Sequence, residues 1–190
     1  MRRLALIVEG HGEEKALPVL VRRILNEEVE GSPVVEVLRP HRLPRGRMVK
    51  PEHLGRAVAL QSSRVAGVGG VLVVADADDD DPAVLAADIT AASGAEHPVP
   101  VIAVREYEAW LLAALPSLTS HRSVRTGASW EGDPESVRGA KERLSAAMVE
   151  PYRETLHQAS FSAIADLGMI AGRSPSFRNL VAAVSRLAVE

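Results

Sequence analysis

Residues 70–81, GVLVVADADDDD, decide the fold, because an uncharged, valine-rich run ends abruptly in a cluster of aspartates. Such a run, bounded by charge, predicts a short strand that is buried on both faces. A second run of this kind, residues 4–8 (LALIV), ends at Glu9 in the sequence Glu-Gly-His-Gly. The two runs therefore predict two buried strands, each followed directly by acidic residues.

Strand-like and helix-like segments alternate over the first 116 residues. The pattern predicts strands at residues 4–8, 34–38, 70–75 and 99–104. It predicts helices from 13 to about 29, from about 51, at 82–93 and at 106–115. Because this alternation is typical of a parallel sheet with helices on both faces, we expect an α/β fold with a four-stranded parallel sheet.

After Pro116 the pattern changes and becomes helical only. Further helices are predicted at about 134–148, 157–170 and 176–189, the last with an apolar face. We therefore expect residues 1–116 to form the α/β core and residues 117–190 to form a helical extension. The extension is predicted to pack on the core within one compact domain.

The composition excludes several kinds of site. The 190 residues include no cysteine, which rules out disulfides, thiolate zinc sites and cysteine nucleophiles. The apolar run at residues 4–8 is too short for a signal peptide, and no stretch approaches the length of a membrane span. We expect a cytoplasmic protein that does not associate with membranes. The net charge of −3 favours no partner by itself.

The acidic residues at two strand ends predict a metal site. Ligands of open α/β sheets bind at the carboxyl ends of the strands, where Glu9 meets Asp76 and Asp78 if the strands are parallel. Converging carboxylates repel each other unless a cation lies between them, and Mg²⁺ and Mn²⁺ prefer oxygen ligands. Asp76 and Asp78 can face the same way if the chain remains extended, and Glu13 can return a further carboxylate from the helix start. In the alternative interpretation the aspartates form a solvated loop, and Asp81 is an ordinary helix start.

Glu106 and Glu108 follow the fourth predicted strand and form a third acidic strand end. Either residue can reach the same sheet edge, and Glu108 is a candidate metal ligand. Alternatively, both begin the helix that bears Trp110 as a core residue. Lys141 can supply a cation to a transition state, although the charged face of an amphipathic helix explains it equally simply.

These motifs resemble a known superfamily. An apolar strand ending in Glu-Gly, followed by a later strand ending in Asp-x-Asp, resembles the Toprim signature. The form Glu-Gly-x-x-Glu is similar to the nuclease branch of the overcoming-lysogenization-defect type. More narrowly, the chain is similar to the Toprim-like domain-of-unknown-function 4276 family. The similar segments are VEGHGEEKALPVLVRRIL (8–25), DADDDDP (76–82), VREYEAWLLAAL (104–115), DPESVRGAKERL (133–144) and RSPSFRNLVAAV (173–184).

The resemblance implies a Toprim-like fold and particular roles. Glu9 would be the acid–base and metal-binding residue, Asp76 and Asp78 metal ligands, and Glu13 an assisting ligand. The aspartate run is longer than Asp-x-Asp requires, and Asp80 continues the alternation as the best extra ligand. Relatives of this type are often paired with an ATPase in phage-defence or repair systems, which would make this chain an effector subunit.

Residues 39–56 form a basic segment with a single acid, Glu52. Its prolines and glycine predict an irregular loop. A basic loop beside a metal site suits a phosphodiester substrate, and the residues predicted to bind nucleic acid are Arg42, Arg45, Arg47 and Lys50. The alternatives are a solvated, flexible loop or a patch that docks an acidic partner.

These observations lead to three hypotheses. The first is a phosphodiesterase dependent on Mg²⁺ or Mn²⁺, a nuclease with a two-metal carboxylate site, with DNA preferred over RNA. The second is a non-catalytic Toprim-like subunit that binds an ATPase partner or nucleic acid. The third and weakest is a phosphatase of the haloacid-dehalogenase type with Asp76 as nucleophile, in which the motif would normally follow the first strand. A homo-oligomer is a further expectation to test.

Overall fold

A computed structural model describes residues 1–31 and 34–189 of the chain. Its centre is a parallel sheet whose strands run in the order β2-β1-β4-β5. A short strand, β3, also pairs with β1 in parallel, beyond the end of β2. The strands are β1 (Arg2–Val8), β2 (Val35–Val37), β3 (His41–Arg42), β4 (Gly69–Asp76) and β5 (Val99–Ala103). The predicted α/β fold with four ordered parallel strands is confirmed, and β3 is a fifth strand that the sequence did not indicate.

Both faces of the sheet are buried, as the uncharged runs predicted. Alternate residues of β1 enter different cores, because successive side chains of a strand point to opposite faces. Leu4, Leu6 and Val8 join one core cluster, and Ala5 and Ile7 join the other. Each of these side chains is almost fully excluded from solvent. The sheet is therefore the middle layer of three.

Helices on each face supply the outer layers. The α-helices are α1 (Glu13–Glu27), α2 (Arg45–Met48), α3 (Pro51–Val65), α4 (Pro82–Ala92), α5 (Glu108–Ala113), α6 (Leu115–Leu118), α7 (Ala140–Ala146), α8 (Ala159–Ile164), α9 (Leu167–Arg173) and α10 (Pro175–Val189). A 3₁₀ turn spans Gly94–Glu96, and one π-helical turn spans Glu154–Gln158. Helices α3 and α4 cover one face of the sheet, whereas α1, α5, α8 and α10 belong to the core on the other face.

The C-terminal helices differ in part from the sequence-based expectation. The helix predicted at about 134–148 is reduced to α7. The helix predicted at 157–170 is split between α8 and α9, because Asp166 accepts a hydrogen bond from the Met169 N–H and begins a new helix. Helix α10 matches its prediction and packs against β1, β4 and β5. The boundary at residue 116 stays a prediction, and Glu190 lies outside the described residues.

Within the described part of the chain, no helix combines the length and the apolar character needed to cross a membrane. The cytoplasmic location stays a prediction.

Candidate functional site

Two acidic side chains meet where β1 and β4 end. The strands pair in parallel with Val8 opposite Val74, so Glu9 and Asp76 leave the same edge of the sheet. The Asp76 backbone N–H donates to Glu9 Oε2 at 3.4 Å. Parallel pairing is the physical reason that two residues far apart in sequence become neighbours, as the sequence predicted.

Glu13 returns to this edge from the first turn of α1. Its Oε2 accepts hydrogen bonds from the backbone N–H groups of Glu9, at 3.0 Å, and Gly10, at 3.3 Å. The side chain is almost fully buried, with 4% exposure. Glu13 is four residues after Glu9, and the helix start folds its carboxylate back onto the loop that carries Glu9.

The third strand end contributes Glu108, the first residue of α5. The preceding Tyr107 N–H donates to Asp76 Oδ1 at 2.9 Å, which ties this end to β4. Glu108 Oε1 accepts from the Tyr152 hydroxyl at 2.9 Å and from Gln158 Nε2 at 3.2 Å. Its other oxygen, Oε2, is buried without a hydrogen-bond partner.

One cavity of about 440 Å³ brings these groups together. Its lining includes the carboxylates of Glu9, Glu13, Asp76 and Glu108 and the cationic side chains of Arg45 and Lys141. Four predicted metal ligands and one predicted phosphate-binding arginine thus line a single cavity, which we call the carboxylate cavity.

Burial raises the pKa of all four carboxyl groups. Desolvation raises the pKa of Glu13 to about 7, although backbone N–H groups oppose the shift. Desolvation also raises the pKa of Glu108 to about 7, against the effect of nearby Lys141. Desolvation together with the like charges of its neighbours holds the pKa of Asp76 well above its ordinary value, and burial raises the pKa of Glu9. Negative charge is therefore unfavourable in this cavity unless a cation compensates it.

Asp78 and Asp80 do not join the carboxylate cavity. The chain does not remain extended after β4, because Asp78 adopts a left-handed conformation with φ +50°. Its N–H donates to the carbonyl oxygen of Arg105, at 2.7 Å, and Arg105 itself has φ +68°. Asp78 is exposed, and Asp80 pairs with Arg45 at the rim. The extended chain that a common orientation of Asp76 and Asp78 requires is therefore absent, while their roles as ligands stay predictions.

Asp81 is the start of a helix, as the alternative interpretation of the aspartate run predicted. Its carboxylate caps α4 by accepting hydrogen bonds from the N–H groups of Ala83 and Val84. The helix begins at Pro82, a residue suited to the first helical turn.

The basic segment is only partly at the site. Arg45 begins the short helix α2 and lines the carboxylate cavity, so this part is more regular than the predicted loop. Arg42 lies on β3, with its Nε 3.9 Å from Glu14 Oε2. Arg47 and Lys50 are exposed and do not line the cavity. Their contact with nucleic acid stays a prediction.

Sequence reasoning considered Lys141 but missed the rest of the wall that the C-terminal part of the chain builds. Lys141 Nζ lies 3.3 Å from Glu154 Oε2 and 3.9 Å from Glu108 Oε2. Burial alone would lower the pKa of Lys141. The nearby carboxylates of Glu108 and Glu154 have the larger combined effect, so the pKa of Lys141 lies above its ordinary value. Glu154 and Gln158 come from the π-helical turn, for which no spacing in the sequence gave a signal.

Gly12 lets this wall close against the first loop. A Cβ atom at Gly12 would lie 2.3 Å from Gln158 Oε1 and 2.9 Å from Glu154 Cβ. The absence of a side chain at Gly12 is therefore a packing requirement.

The donor set fits a divalent cation by its chemistry, although the side chains are not yet arranged around one. Among residues 1–31 and 34–189, no group of three or more acidic or histidine side chains is positioned to hold a metal ion. The carboxylates instead accept hydrogen bonds from donors of the protein itself, and Glu108 Oε2 is buried without a hydrogen-bond donor. Oxygen ligands of this kind suit Mg²⁺ and Mn²⁺, and cation binding would require the side chains to turn towards each other.

The raised pKa values predict that stability falls with increasing pH when no divalent cation is present. Glu13 and Glu108 have pKa values of about 7 in the folded chain, against an ordinary 4.5. The folded state therefore binds more protons than the unfolded state between these limits, so the free energy of unfolding decreases as pH rises from about 4.5 to about 7. Thermal unfolding in a chelator should show a lower Tm at about pH 8 than at about pH 5.

Two measurements control this expectation. Mn²⁺ should raise the Tm more at the higher pH, because a cation stabilises the ionised carboxylates. The variant Glu13→Gln should flatten the pH dependence, because the amide retains the acceptor oxygen and cannot ionise. A wild-type Tm that is higher at the alkaline end would contradict the prediction.

Comparison with protein families gives one match. The model of a family described as a domain of unknown function (DUF4276) matches residues 8–185, which is nearly the whole chain. The comparisons with curated proteins and with solved structures find no match.

Proposed function

The chain belongs to the DUF4276 family, as its motifs predicted, and from its acidic cavity we propose that it is a metal-dependent phosphodiesterase acting on nucleic acid. The observation that carries the proposal is the convergence of four carboxylates with Arg45 and Lys141 in one open cavity. Acids whose pKa is raised by burial, and which share a cavity with specific charged partners, are typical of functional sites.

The acids divide into binding and proton-transfer roles. Glu9, Glu13, Asp76 and Glu108 would hold Mg²⁺ or Mn²⁺, and two such ions would activate water and stabilise the leaving oxygen. Glu9 is only half-buried, so its carboxyl group can reach substrate, and burial raises its pKa, which favours a role in proton transfer. Asp78 and Asp80 enter the ligand set only if the left-handed turn at Asp78 opens.

The cations at the rim would bind the substrate. Arg45 lines the cavity from α2, and its planar guanidinium matches a phosphate group. Lys141 also lines the cavity, and as a point charge it would stabilise the developing negative charge of a transition state. Arg42, Arg47 and Lys50 would extend the contact along the nucleic-acid backbone.

The finer assignment is to the Toprim superfamily and its overcoming-lysogenization-defect nuclease branch. Glu9 after β1 and Asp76 at the end of β4 occupy neighbouring parallel strands, which supports this assignment. On this proposal the chain cleaves DNA in preference to RNA in the cytoplasm. It would serve as the effector subunit of an ATPase-linked phage-defence or repair system.

A cleavage assay tests the function. Plasmid, linear duplex and single-stranded substrates would be incubated with Mn²⁺, with Mg²⁺ or with a chelator, in the presence and absence of a co-encoded ATPase. We expect cleavage that requires the metal ion. Calorimetric titration with Mn²⁺ would be run in parallel, because it detects metal binding whether or not cleavage occurs.

The same experiment decides between this function and a non-catalytic subunit. The ion pair between Lys141 and Glu154 already fills part of the cavity with protein charge, which favours the second candidate. Metal binding that is weak or absent, with no cleavage even when the ATPase is added, would establish the non-catalytic subunit. A covalent aspartyl-phosphate on Asp76 would instead establish the phosphatase.

A further inference from the structure

Two arginines converge on one aspartate beside the carboxylate cavity. Arg105 Nη1 and Arg138 Nη2 each lie 2.8 Å from the same oxygen, Asp79 Oδ1. All three side chains are accessible, with Arg138 at 74% exposure and Asp79 at 65%. A single carboxylate oxygen thus holds two guanidinium groups, neither of which the sequence analysis had assigned to the site.

These arginines line a separate cavity of about 190 Å³. Asp78 and Glu106 line the same cavity, and Glu106 Oε1 accepts from the Ala140 N–H at 2.8 Å. Ala140 precedes Lys141, which lines the carboxylate cavity, and Asp78 is two residues beyond Asp76. The two cavities are therefore neighbours along the same edge of the sheet. We call the smaller one the arginine cavity.

The backbone holds Arg105 in position before any ligand binds. Asp78 and Arg105 are both left-handed, and the N–H of Asp78 donates to the carbonyl oxygen of Arg105. In return, Arg105 Nη1 donates to the Asp78 carbonyl oxygen at 3.0 Å. These reciprocal hydrogen bonds connect the loop after β4 to the loop after β5, and they fix the position of the Arg105 guanidinium.

The carboxylate of Asp79 is replaceable by a stronger anion. Exposed ion pairs contribute little stability, because water solvates both partners well. A phosphate group offers several oxygens to planar guanidinium donors and binds them more strongly than one carboxylate oxygen. Three acids, Asp78, Asp79 and Glu106, line the arginine cavity against two arginines. Phosphate binding there therefore depends on the release of Asp79 and on a metal ion bound in the neighbouring carboxylate cavity.

We propose that Arg105 and Arg138 form a subsite for the backbone phosphate next to the scissile one, which directs the carboxylate cavity to polynucleotides rather than single nucleotides. The inference rests on the proposed phosphodiesterase function, because it assumes that a scissile phosphate binds in the carboxylate cavity. Asp79 occupies the subsite when substrate is absent and leaves it when a phosphate enters.

Binding of a fluorescein-labelled single-stranded oligodeoxynucleotide tests the subsite. Fluorescence anisotropy would be followed over a series of salt concentrations, with Ca²⁺ added. Arg138→Ala should lower the affinity about tenfold and reduce the salt slope by about one. Asp79→Asn should raise the affinity several-fold, because it removes the negative charge that competes with phosphate for both arginines. Arg138→Lys should recover part of the loss.

Matched variants separate this effect from general charge. Arg122 is exposed and lines neither cavity, so Arg122→Ala removes one positive charge elsewhere. Glu96 precedes β5 at the opposite end of the strands, so Glu96→Gln removes one negative charge there. The subsite is overturned if Arg138→Ala behaves like Arg122→Ala, or if Asp79→Asn gains no more affinity than Glu96→Gln.

A mononucleotide competitor tests the position of the subsite. Arg138→Ala should lower the affinity for the oligonucleotide much more than the affinity for the mononucleotide, because the mononucleotide has only one phosphate. An equal loss for both would place Arg138 at the scissile phosphate and overturn the inference. The cleavage assay tests the enzymatic function separately. If the chain shows this binding pattern but no cleavage, the subsite stands and the proposed enzymatic function is contradicted.

Discussion

Glu9→Gln and Asp76→Asn are each expected to reduce metal-dependent cleavage on the order of 10³-fold, because each removes a carboxylate proposed to bind the cations. Both variants retain an acceptor oxygen for the hydrogen bonds that the structure shows, from the Asp76 N–H to Glu9 and from the Tyr107 N–H to Asp76. Both also remove a carboxyl group whose pKa is raised by burial. Thermal stability without metal should therefore be equal to or greater than that of the wild type at about pH 8.

The opposite directions of these effects distinguish a functional role from a structural one. An acid that merely supports the fold would lower stability and activity together when it is neutralised. Glu96→Gln provides the matched control, because it removes an exposed acid at the far end of the strands and should leave cleavage unchanged. Wild-type cleavage by both Glu9→Gln and Asp76→Asn would exclude the proposed mechanism.

Gly69→Ala is expected to destabilise the fold by about 3–5 kcal/mol or to prevent folding. Gly69 begins β4 with φ +146°, a conformation that residues with a side chain rarely adopt. A Cβ atom there would lie 1.7 Å from the carbonyl oxygen of Arg3, the residue paired with it in β1. The clash is with backbone, so relief requires β1 and β4 to separate where they pair. Urea unfolding followed by circular dichroism would measure the loss.

Gly172→Ala is the matched control for this substitution. Gly172 lies within α9, and nothing would come within 4 Å of a Cβ atom at that position. Replacing an exposed helical glycine by alanine typically stabilises a helix by roughly 0.5–1 kcal/mol. If Gly69→Ala proved as stable as Gly172→Ala, the strand pairing at Gly69 would have to differ from the one described.

Local patterns in the sequence were sufficient to predict the elements that build the sheet edge. The runs at residues 4–8 and 70–75 formed the central strands, because uninterrupted apolar residues are stable only where both faces are covered. The strand ends placed Glu9 beside Asp76, because parallel strands end at the same edge. The helix start and the third acidic strand end had made Glu13 and Glu108 candidates, and both line the cavity.

The aspartate run shows where local reasoning stopped. Alternation predicted that Asp78 and Asp80 would face Asp76, which holds only while the backbone stays extended. The hydrogen bond from the Asp78 N–H to the Arg105 carbonyl instead stabilises a left-handed turn. Arg105 lies on another loop, so nothing within the aspartate run itself could have indicated the turn.

The sequence by itself determined the parallel α/β architecture and the pairing of Glu9 with Asp76, since both follow from local hydrophobicity and strand direction. Only the tertiary structure decided how the cavity closes: Gly12 admits the π-helical turn, whose Gln158 binds Glu108, and Lys141 arrives from α7. These contacts join segments separated by long stretches of chain. Their positions depend on how helices pack against the sheet, which no periodicity within one segment encodes.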